Sequence, residues 1–497
     1  MRYRRVLFVF PYYPSSVFAE GSYLDAGLGY LSEALNGKGI ENSVLDMSLH
    51  RNKAYFLSRV REYHPDLIGI SMRSLNFRSH YALATEIRQS CPEVHIVAGG
   101  PHVSTFREEV LQDCAAFDYG VVLEGEHAIV ELCRDDLSLS EIPGLIYRGP
   151  NGQTLYTGDR PFNRELDSLA FPTYSRFELE RYLSKLIPIV SSRGCPYQCI
   201  YCPVRTTIGR QYRARDPILV ADEVEWWYRR GYRTFDFTDD NFTLIAERAF
   251  RFCEEIARRG LRGARFSCGN GIRADRVTRE LLAKMKEVGF YQLSFGVESG
   301  NNRILKNLKK GETLEEIEQA IAWACELGFQ VKLTFLIGSP GETWDDFQDS
   351  LRIARKYPVW KFNFFTLTPF PKTELHDSVE ANNQWLIDPK DYLDQVNKWT
   401  NTPAFESPEL SKQQRIRAYN EARKLMEAHW RRSERRIART NFRESLRSRG
   451  IPSPVAGLAA AVRHSHLITV VDERLPWFGR ALRALRSTGR QGVASPS

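Results

Sequence analysis

The chain has 497 residues, enough for two or three domains with substantial cores. A charged fraction of 26% and a hydrophobic fraction of 42% are those of a globular protein, and no run of sequence approaches the length of a membrane span. The formal charge of +8 is local: between Arg431 and Arg449 eight Arg stand against Glu434 and Glu444 only, so the body of the chain is near neutral. Six of the nine Cys (Cys91, Cys114, Cys133, Cys253, Cys268, Cys325) are scattered without pairing motifs, the pattern of a reducing compartment. The basic start, Met1 to Arg5, precedes an apolar run of only Val6–Phe10, too short for a signal-peptide core, so a cytoplasmic chain is expected.

Residues 1–150 read as short apolar strands at Arg5–Phe10, Ser43–Asp46, Leu67–Ser71, Val94–Ala98, Tyr119–Leu123 and Leu145–Arg148, with helix-length segments between the first five. Continuous apolar strands interleaved with helices predict an α/β fold with a doubly wound parallel sheet of Rossmann or flavodoxin type. Such sheets bind ligands beyond the carboxyl ends of their strands. The candidate ligand residues are therefore those at the strand ends: Tyr12, Gly27, Leu28, Ser71, Arg73, Gly99, Gly100, His102, Glu124, Gly125 and Glu126. The small and turn-forming residues among them let a large flat ligand approach the backbone. His102 is either a ligand or a turn histidine bonded to backbone. Residues 151–187, punctuated by Asn151-Gly152, Pro161 and Pro172, read as a connection.

The strand Ile187–Val190 leads into Ser191-Ser-Arg-Gly-Cys195-Pro-Tyr-Gln-Cys199-Ile-Tyr-Cys202-Pro203. Gly194, Pro196 and Pro203 exclude a helix, so a loop wraps three thiolates around one object. Soft thiolates suit zinc or an iron–sulfur cluster, and a closed zinc site would want a fourth ligand that this loop lacks. Further strands follow at Thr234–Thr238, Arg265–Cys268, Gln292–Gly296, Val331–Ile337 and Phe362–Leu367. Helices are expected between them at Pro217–Arg230, Glu247–Arg259, Thr278–Val288, Leu314–Leu327 and Trp344–Tyr357. Six βα units over 188–380 predict a partial (β/α)6 barrel with its chemistry at the carboxyl ends of the strands. Asp239, Asp240, Arg273, Glu298, Ser299, Gly338, Pro340 and Glu342 stand at or just beyond those ends. Carboxylates there can accept from an ammonium or from ribose hydroxyls, and an Arg can clamp a carboxylate.

The loop Cys195, Cys199, Cys202, with Tyr201 before the last Cys, resembles the cluster loop of radical S-adenosylmethionine (SAM) enzymes. With the Gly99-Gly-Pro-His102 and Glu124-Gly-Glu126 turns, the chain resembles the family's cobalamin-dependent, B12-binding branch. The resemblance implies a [4Fe-4S] cluster on the three cysteines, SAM on its open iron and Tyr201 against the adenine. It also implies Asp239-Asp240 near the SAM amino group, Arg273 in the same site, Glu298-Ser299 facing the ribose and Gly338–Glu342 on the adenine side. Residues 1–150 then bind cobalamin; because an Asp-x-His-x-x-Gly motif is absent, no histidine is expected beneath the cobalt.

Residues 381–497 read as a helical extension with a disordered end over 488–497 and no further Cys, hence no auxiliary cluster. Arg431–Arg449 is either a basic amphipathic helix for an anionic partner or membrane surface, or a solvated helix face. The family reading implies an external electron donor of flavodoxin or ferredoxin type and methyl transfer to an unactivated carbon of a small-molecule or lipid-like substrate. The alternatives are a cyclase or rearrangement enzyme on the same machinery, a methylthiotransferase of tRNA or protein, and a redox- or B12-sensing binding protein.

Overall fold

A computed structural model describes residues 1–12, 23–50, 52–396 and 401–448. The chain divides into two compact units, Met1–Ala422 and Arg423–Ser497. The first unit contains two large sheets, and both follow from the alternation of side chains along their strands.

The first sheet has seven strands: β1 (Arg5–Phe10), β2 (Glu41–Asp46), β3 (Leu67–Ser71), β4 (His95–Gly99), β5 (Tyr119–Val121), β6 (Leu145–Arg148) and β7 (Thr154–Tyr156), in the order β2-β1-β3-β4-β5-β6-β7. The chain leaves β1 for β2 on one side and β3 on the other, so the switch point lies between β1 and β3. Leu7, Val9, Ile68, Ile70, Ile96 and Ala98 face helices Lys53–Tyr63 and Phe77–Ser90. Val6, Phe8, Val97, Tyr119 and Val121 face helices Ala26–Asn36 and Glu126–Cys133. Burial on both faces explains why β1, β3 and β4 read as unbroken apolar runs.

β1 to β5 are parallel, as expected, but β6 and β7 are antiparallel, and β7 lies within the stretch read as connection. Only five residues, Gly149-Pro-Asn-Gly-Gln153, separate them, and a turn that short permits only a hairpin.

The second sheet contains β8 (Leu186–Ile189), β11 (Thr234–Phe237), β12 (Arg265–Ile272), β13 (Phe290–Glu298), β14 (Gln330–Ile337) and β15 (Lys361–Thr366). A small antiparallel pair, β9 (Ser192–Arg193) and β10 (Arg213–Ala214), stands apart from it. All six strands are parallel and lie in sequence order, and β8 and β15 do not meet, so the barrel is open. Its outer face is aromatic: Phe235, Phe237, Phe252, Phe266 and Phe290 form a continuous ring cluster, each ring buried. A third cluster joins the two halves of the unit, packing Ile200, Leu308, Leu375, Tyr392, Leu393 and Phe405 against Leu75, Phe77 and Phe106.

Helix Lys412–Ser448 ends the described chain, its first turns in the first unit and the remainder in the second. Of the basic stretch only the backbone through Ser448 and the side chains through Ser433 are described; Arg449 and residues 488–497 lie outside the described residues. No described helix is long and apolar enough to cross a membrane.

Replacing Phe237 by Ala should lower the unfolding free energy by about 3–5 kcal/mol, since the cavity adds to the lost transfer energy. Urea titration followed by circular dichroism measures it.

Candidate active site

The cysteine loop begins where β8 ends, and its first residues are gripped by the end of β11. Asp239 accepts from Ser191 N at 2.7 Å, Ser191 Oγ at 2.5 Å and Ser192 Oγ at 2.6 Å. Asp240 accepts from Gly194 N at 3.0 Å. Gly194 has φ +87°, and a Cβ there would stand 2.2 Å from Gln211 O, so no other residue fits the turn. Further on, Ile200 N donates to Leu308 O at 3.1 Å and Leu375 N to Ile200 O at 3.0 Å. Tyr197 lies under the Arg273 guanidinium, 3.5 Å from its carbon, and accepts from Arg276 Nε at 2.7 Å. The loop is therefore fixed from four sides before any ligand arrives.

Cys195, Cys199 and Cys202 are free and half-buried, and burial pushes all three thiols up, Cys202 to about 12. Among the described residues no three His, Cys, Asp or Glu side chains form a group for a single metal ion. Three soft donors on one preorganised loop fit a cluster, in which each thiolate takes a different iron, better than a mononuclear zinc. Ligation would release the protons that burial holds on the sulfurs.

The SAM-side candidates stand around this loop, though several are held by other residues. Tyr201 Oη donates to Glu298 Oε1 at 3.0 Å, which also accepts from Lys310 Nζ at 3.2 Å. Glu298 has φ +63°, a left-handed conformation that costs a non-glycine residue about 1–3 kcal/mol. Arg273 donates to Asp275 Oδ1, Lys310 O and Gly311 O at 2.7–2.9 Å, so its donors are taken within the protein. Glu342, fully buried, accepts from Gly338 N and Ser339 N through Oε2, while Oε1 has no partner. Pro340 O accepts from Asn307 Nδ2 at 2.9 Å. The Ser299 and Ser339 hydroxyls are also buried without a partner, which leaves polar atoms for a ligand beside the strand ends.

A cavity of about 390 Å³ opens between the carboxyl ends of the first sheet and the start of the cysteine loop. Gly27, Leu28, Ser71, Arg73, Gly99 and Gly100 line it, as do Glu124, Gly125 and Glu126. From the barrel side Val190, Ser192, Arg193, Thr207, Thr238 and Asp240 complete the wall. No atom lies within 4 Å of where a Cβ on Gly99 would stand, so a side chain there would occupy open space that a flat ligand could use. The lining fits cobalamin in this respect: backbone and small side chains form the floor at the sheet's switch point.

Two of the candidates lie elsewhere. Tyr12 lies two residues beyond β1 and does not line the cavity. His102 is the second residue of helix Pro101–Phe106 and is turned into the core. It lies against Phe77 at 4.8 Å and Phe106 at 4.6 Å, with Nε2 3.1 Å from Tyr81 Oη. Burial lowers its basicity to about 3, so it is a neutral core histidine, neither cavity ligand nor backbone-bonded turn residue.

The sequence reading missed what joins the two halves. Arg193, two residues before Cys195, donates from Nη1 to Glu124 at 2.9 Å and from Nη2 to Glu126 at 2.6 Å. Arg213 donates to both oxygens of Glu124 and to Asn163 O, and Asn163 N completes the Glu124 shell at 2.9 Å. Burial alone would raise the Glu124 carboxyl; the two guanidiniums outweigh it and hold it below its usual range. Glu124-Gly-Glu126 is thus a cavity wall whose charges hold the cysteine loop. Arg415 was also missed, because nothing at its distance in sequence ties it to Gly338: it donates to Gly338 O at 3.0 Å and Leu410 O at 3.0 Å.

Comparison with known proteins identifies this arrangement. Residues 18–133 match the family model of the B12 binding domain and residues 189–354 that of the radical SAM superfamily. The uncharacterized methyltransferase PH0819 of Pyrococcus horikoshii is 30% identical over 335 residues, 66% of this chain and 72% of that protein. The chain belongs to the cobalamin-dependent radical SAM enzymes. As a member it is an enzyme whose cofactors are a [4Fe-4S] cluster, SAM and cobalamin. The cytidylyl-2-hydroxyethylphosphonate methyltransferase of Streptomyces wedmorensis is 27% identical, covering 74% of this chain and 79% of its own. The anaerobic magnesium-protoporphyrin IX monomethyl ester cyclase of Rubrivivax gelatinosus is 26% identical, covering 76% and 71%. In fold the chain is similar to the methyltransferase TsrM of Kitasatospora setae, with TM-score 0.67, 23% identity and 76% of each chain covered. It is likewise similar to OxsB, with TM-score 0.68, 16% identity, and 97% and 75% covered. Arg193, Arg213, Glu124 and Glu126 lie in or between the two matched regions, whereas Arg415 lies beyond both.

Arg193→Met should strand Glu126 and destabilise the first unit by about 3–5 kcal/mol, the usual cost of breaking a buried pair from one side. Faster amide exchange at both Gly99–Glu126 and Cys195–Cys202 checks it; a change confined to one segment would refute the clasp.

Glu342 provides a second expectation. Burial raises its carboxyl from 4.5 to about 7. The folded chain therefore holds this proton more tightly than the unfolded one. The stability it contributes is present below about pH 4.5 and is lost as pH rises through about 7, on the order of 3 kcal/mol in all. Glu342→Gln removes the titration, so the variant should gain on the parent between pH 5 and 8, measured by denaturant unfolding at each pH.

Proposed function

We propose that this enzyme transfers a methyl group to an unactivated carbon of a small organic substrate. The observation that carries the reading is the shared wall: Arg193 precedes Cys195 by two residues and is bonded to Glu124 and Glu126 of the cavity. The three-thiol loop and the cobalamin cavity are thereby held side by side. When bound, the cluster and SAM supply a 5′-deoxyadenosyl radical and cobalamin supplies the methyl group.

The chain's own residues bind, orient and exclude water. Cys195, Cys199 and Cys202 would hold the cluster, on a loop whose entry is fixed by Asp239 and Asp240. Tyr201 and Glu298 form one hydrogen-bonded unit beside the loop, and the Gly338–Glu342 turn is set by Glu342 from within and Arg415 from behind. Gly27, Gly99, Gly100 and Gly125 would take cobalamin against the backbone. Asp239 and Arg273 serve as positioning residues, because their polar atoms are engaged by protein.

An external reductant of flavodoxin or ferredoxin type would supply the electron. A cyclase on the same machinery is the second reading, favoured by the similarity to the Rubrivivax cyclase across 76% of this chain. A methylthiotransferase would need a second cluster in the first domain. Cys114 packs on one face of the first sheet and Cys133 on the other, so they cannot join in one.

Anaerobic reconstitution should yield about four irons and one cobalt per chain, as one [4Fe-4S] cluster and one corrin require. SAM bearing a labelled methyl should pass that label to product, and Cys195→Ala should abolish SAM cleavage. Cleavage with a product of unchanged carbon count would replace methyl transfer by cyclisation; zinc in place of iron would overturn the reading.

A further inference from the structure

The amino ends of the barrel strands, at the far end from the cysteine loop, carry a row of cations. Lys185 precedes β8, Arg233 precedes β11 and Arg265 opens β12. Strand register sets these ends side by side, with Leu186 and Arg265 both opposite Thr234. Arg230 closes helix Pro217–Arg229, and Arg262 lies in the turn before β12. All are exposed, and none has an ion pair among the described residues. They form one patch. Arg265 N donates to Arg233 O at 2.7 Å, Tyr228 Oη to Arg262 O at 2.8 Å, and Arg233 Nη1 to Tyr228 O at 2.7 Å.

Most acids near this end are taken. Glu225 pairs with Arg229 and Arg259, Glu255 with Arg258 and Arg259, and Glu287 with Lys284. Glu180, within electrostatic reach of Tyr232, and Glu254 are left to oppose the row, so the rim keeps a net positive charge.

The arginines lie over aromatic rings: Arg230 on Trp226 at 3.3 Å, Arg233 on Tyr228 at 3.8 Å and Arg265 on Tyr291 at 4.1 Å. Stacking engages the plane of a guanidinium and leaves in-plane N–H donors for an anion. It also uses the rings that would otherwise serve as platforms for nucleic-acid bases. Leu183, two residues before Lys185, is 78% exposed. A lone exposed leucine needs no explanation, but cations, Trp and Tyr around an apolar tip are the composition of a surface that rests in a headgroup layer.

We propose that this amino-end rim rests on a bilayer bearing anionic headgroups, with the arginines on the phosphates and Leu183 at the acyl boundary. The surface is separate from the Arg431–Arg449 stretch, and its role does not depend on the reaction proposed above. Attachment by the amino ends turns the carboxyl ends, with the cysteine loop, toward the aqueous phase. Substrate and electron donor then reach the barrel without crossing lipid.

The test is co-sedimentation of the full-length holoenzyme with phosphatidylcholine vesicles, with and without phosphatidylglycerol. Binding should require phosphatidylglycerol and weaken as salt is raised. Replacing Arg262 and Arg265 together by Gln should weaken it about 25-fold, about fivefold for each cation removed. Leu183→Ser should weaken it about fivefold, as partial burial of a leucine implies. Thermal unfolding of each variant, expected to match the parent because these side chains are exposed, controls for folding. No binding to the anionic vesicles, or equal binding to neutral ones, overturns the proposal. Binding unchanged in the double variant, as the Arg431–Arg449 stretch alone would give, also overturns it. So does binding of a single-stranded RNA through the same arginines without binding of vesicles.

Discussion

The structure depends on the ion-paired junction of Arg193 and Arg213 with Glu124 and Glu126. These four side chains are mostly buried, and desolvating them is costly unless every charge finds close, well-oriented partners. The geometry meets that demand. Glu124 takes both guanidiniums and one backbone amide, and Arg193 divides its fork between two acids. Such an arrangement adds little net stability over a well-packed apolar junction, but it tolerates only one registration of its parts. Registration is what a two-cofactor enzyme requires, because groups that react with one another must be held at a fixed distance and orientation.

The same logic separates the carboxylates at the barrel's strand ends. Asp239, Asp240 and Glu342 each accept from backbone amides of a turn that would otherwise carry buried, unpaired donors. Their acidity is directed at the protein. What remains for ligands is smaller: the Ser299 and Ser339 hydroxyls, one oxygen of Glu342, the side of Asp240 that lines the cavity and the edges of the turns they occupy. A residue type at a strand end thus marks the site without telling which of its atoms face the ligand.

That limit describes how far the sequence was legible. Strand periodicity located all six barrel strands and six of the seven in the first sheet, because burial on one or both faces leaves a direct trace in hydrophobicity. The three-cysteine loop was legible as a loop because Gly194, Pro196 and Pro203 break any helix through it. The direction of β6 was not, since an apolar strand reads the same in either sense and only the short turn to β7 fixes it. His102 was misplaced because a histidine after Gly-Gly-Pro has the same letters whether its ring faces ligand or core. Here the aromatic trio Phe77, Tyr81 and Phe106 draws it inward. Arg193 lies within the cysteine loop and Arg213 follows it, but their acidic partners are 67 to 89 residues away, beyond any periodic signal.

An open barrel poses a problem that a closed one does not. A closed (β/α)8 barrel fills its interior with branched apolar layers and is a core in its own right. Here the apolar layer lies outside, under the helices, and the inner positions of β11 to β15 carry Asp236, Ser267, Ser294, Lys332 and Asn363. Such a surface contributes little hydrophobic stabilisation, so the barrel depends on what packs around it. The first sheet lies at one end through the ion-paired junction, and the segment bearing Tyr392, Leu393 and Phe405 seals the cysteine loop against Leu75 and Phe77. Arg415 extends that seal to the Gly338 turn. A barrel left polar inside and clamped from outside keeps its interior accessible to polar groups while its walls stay rigid.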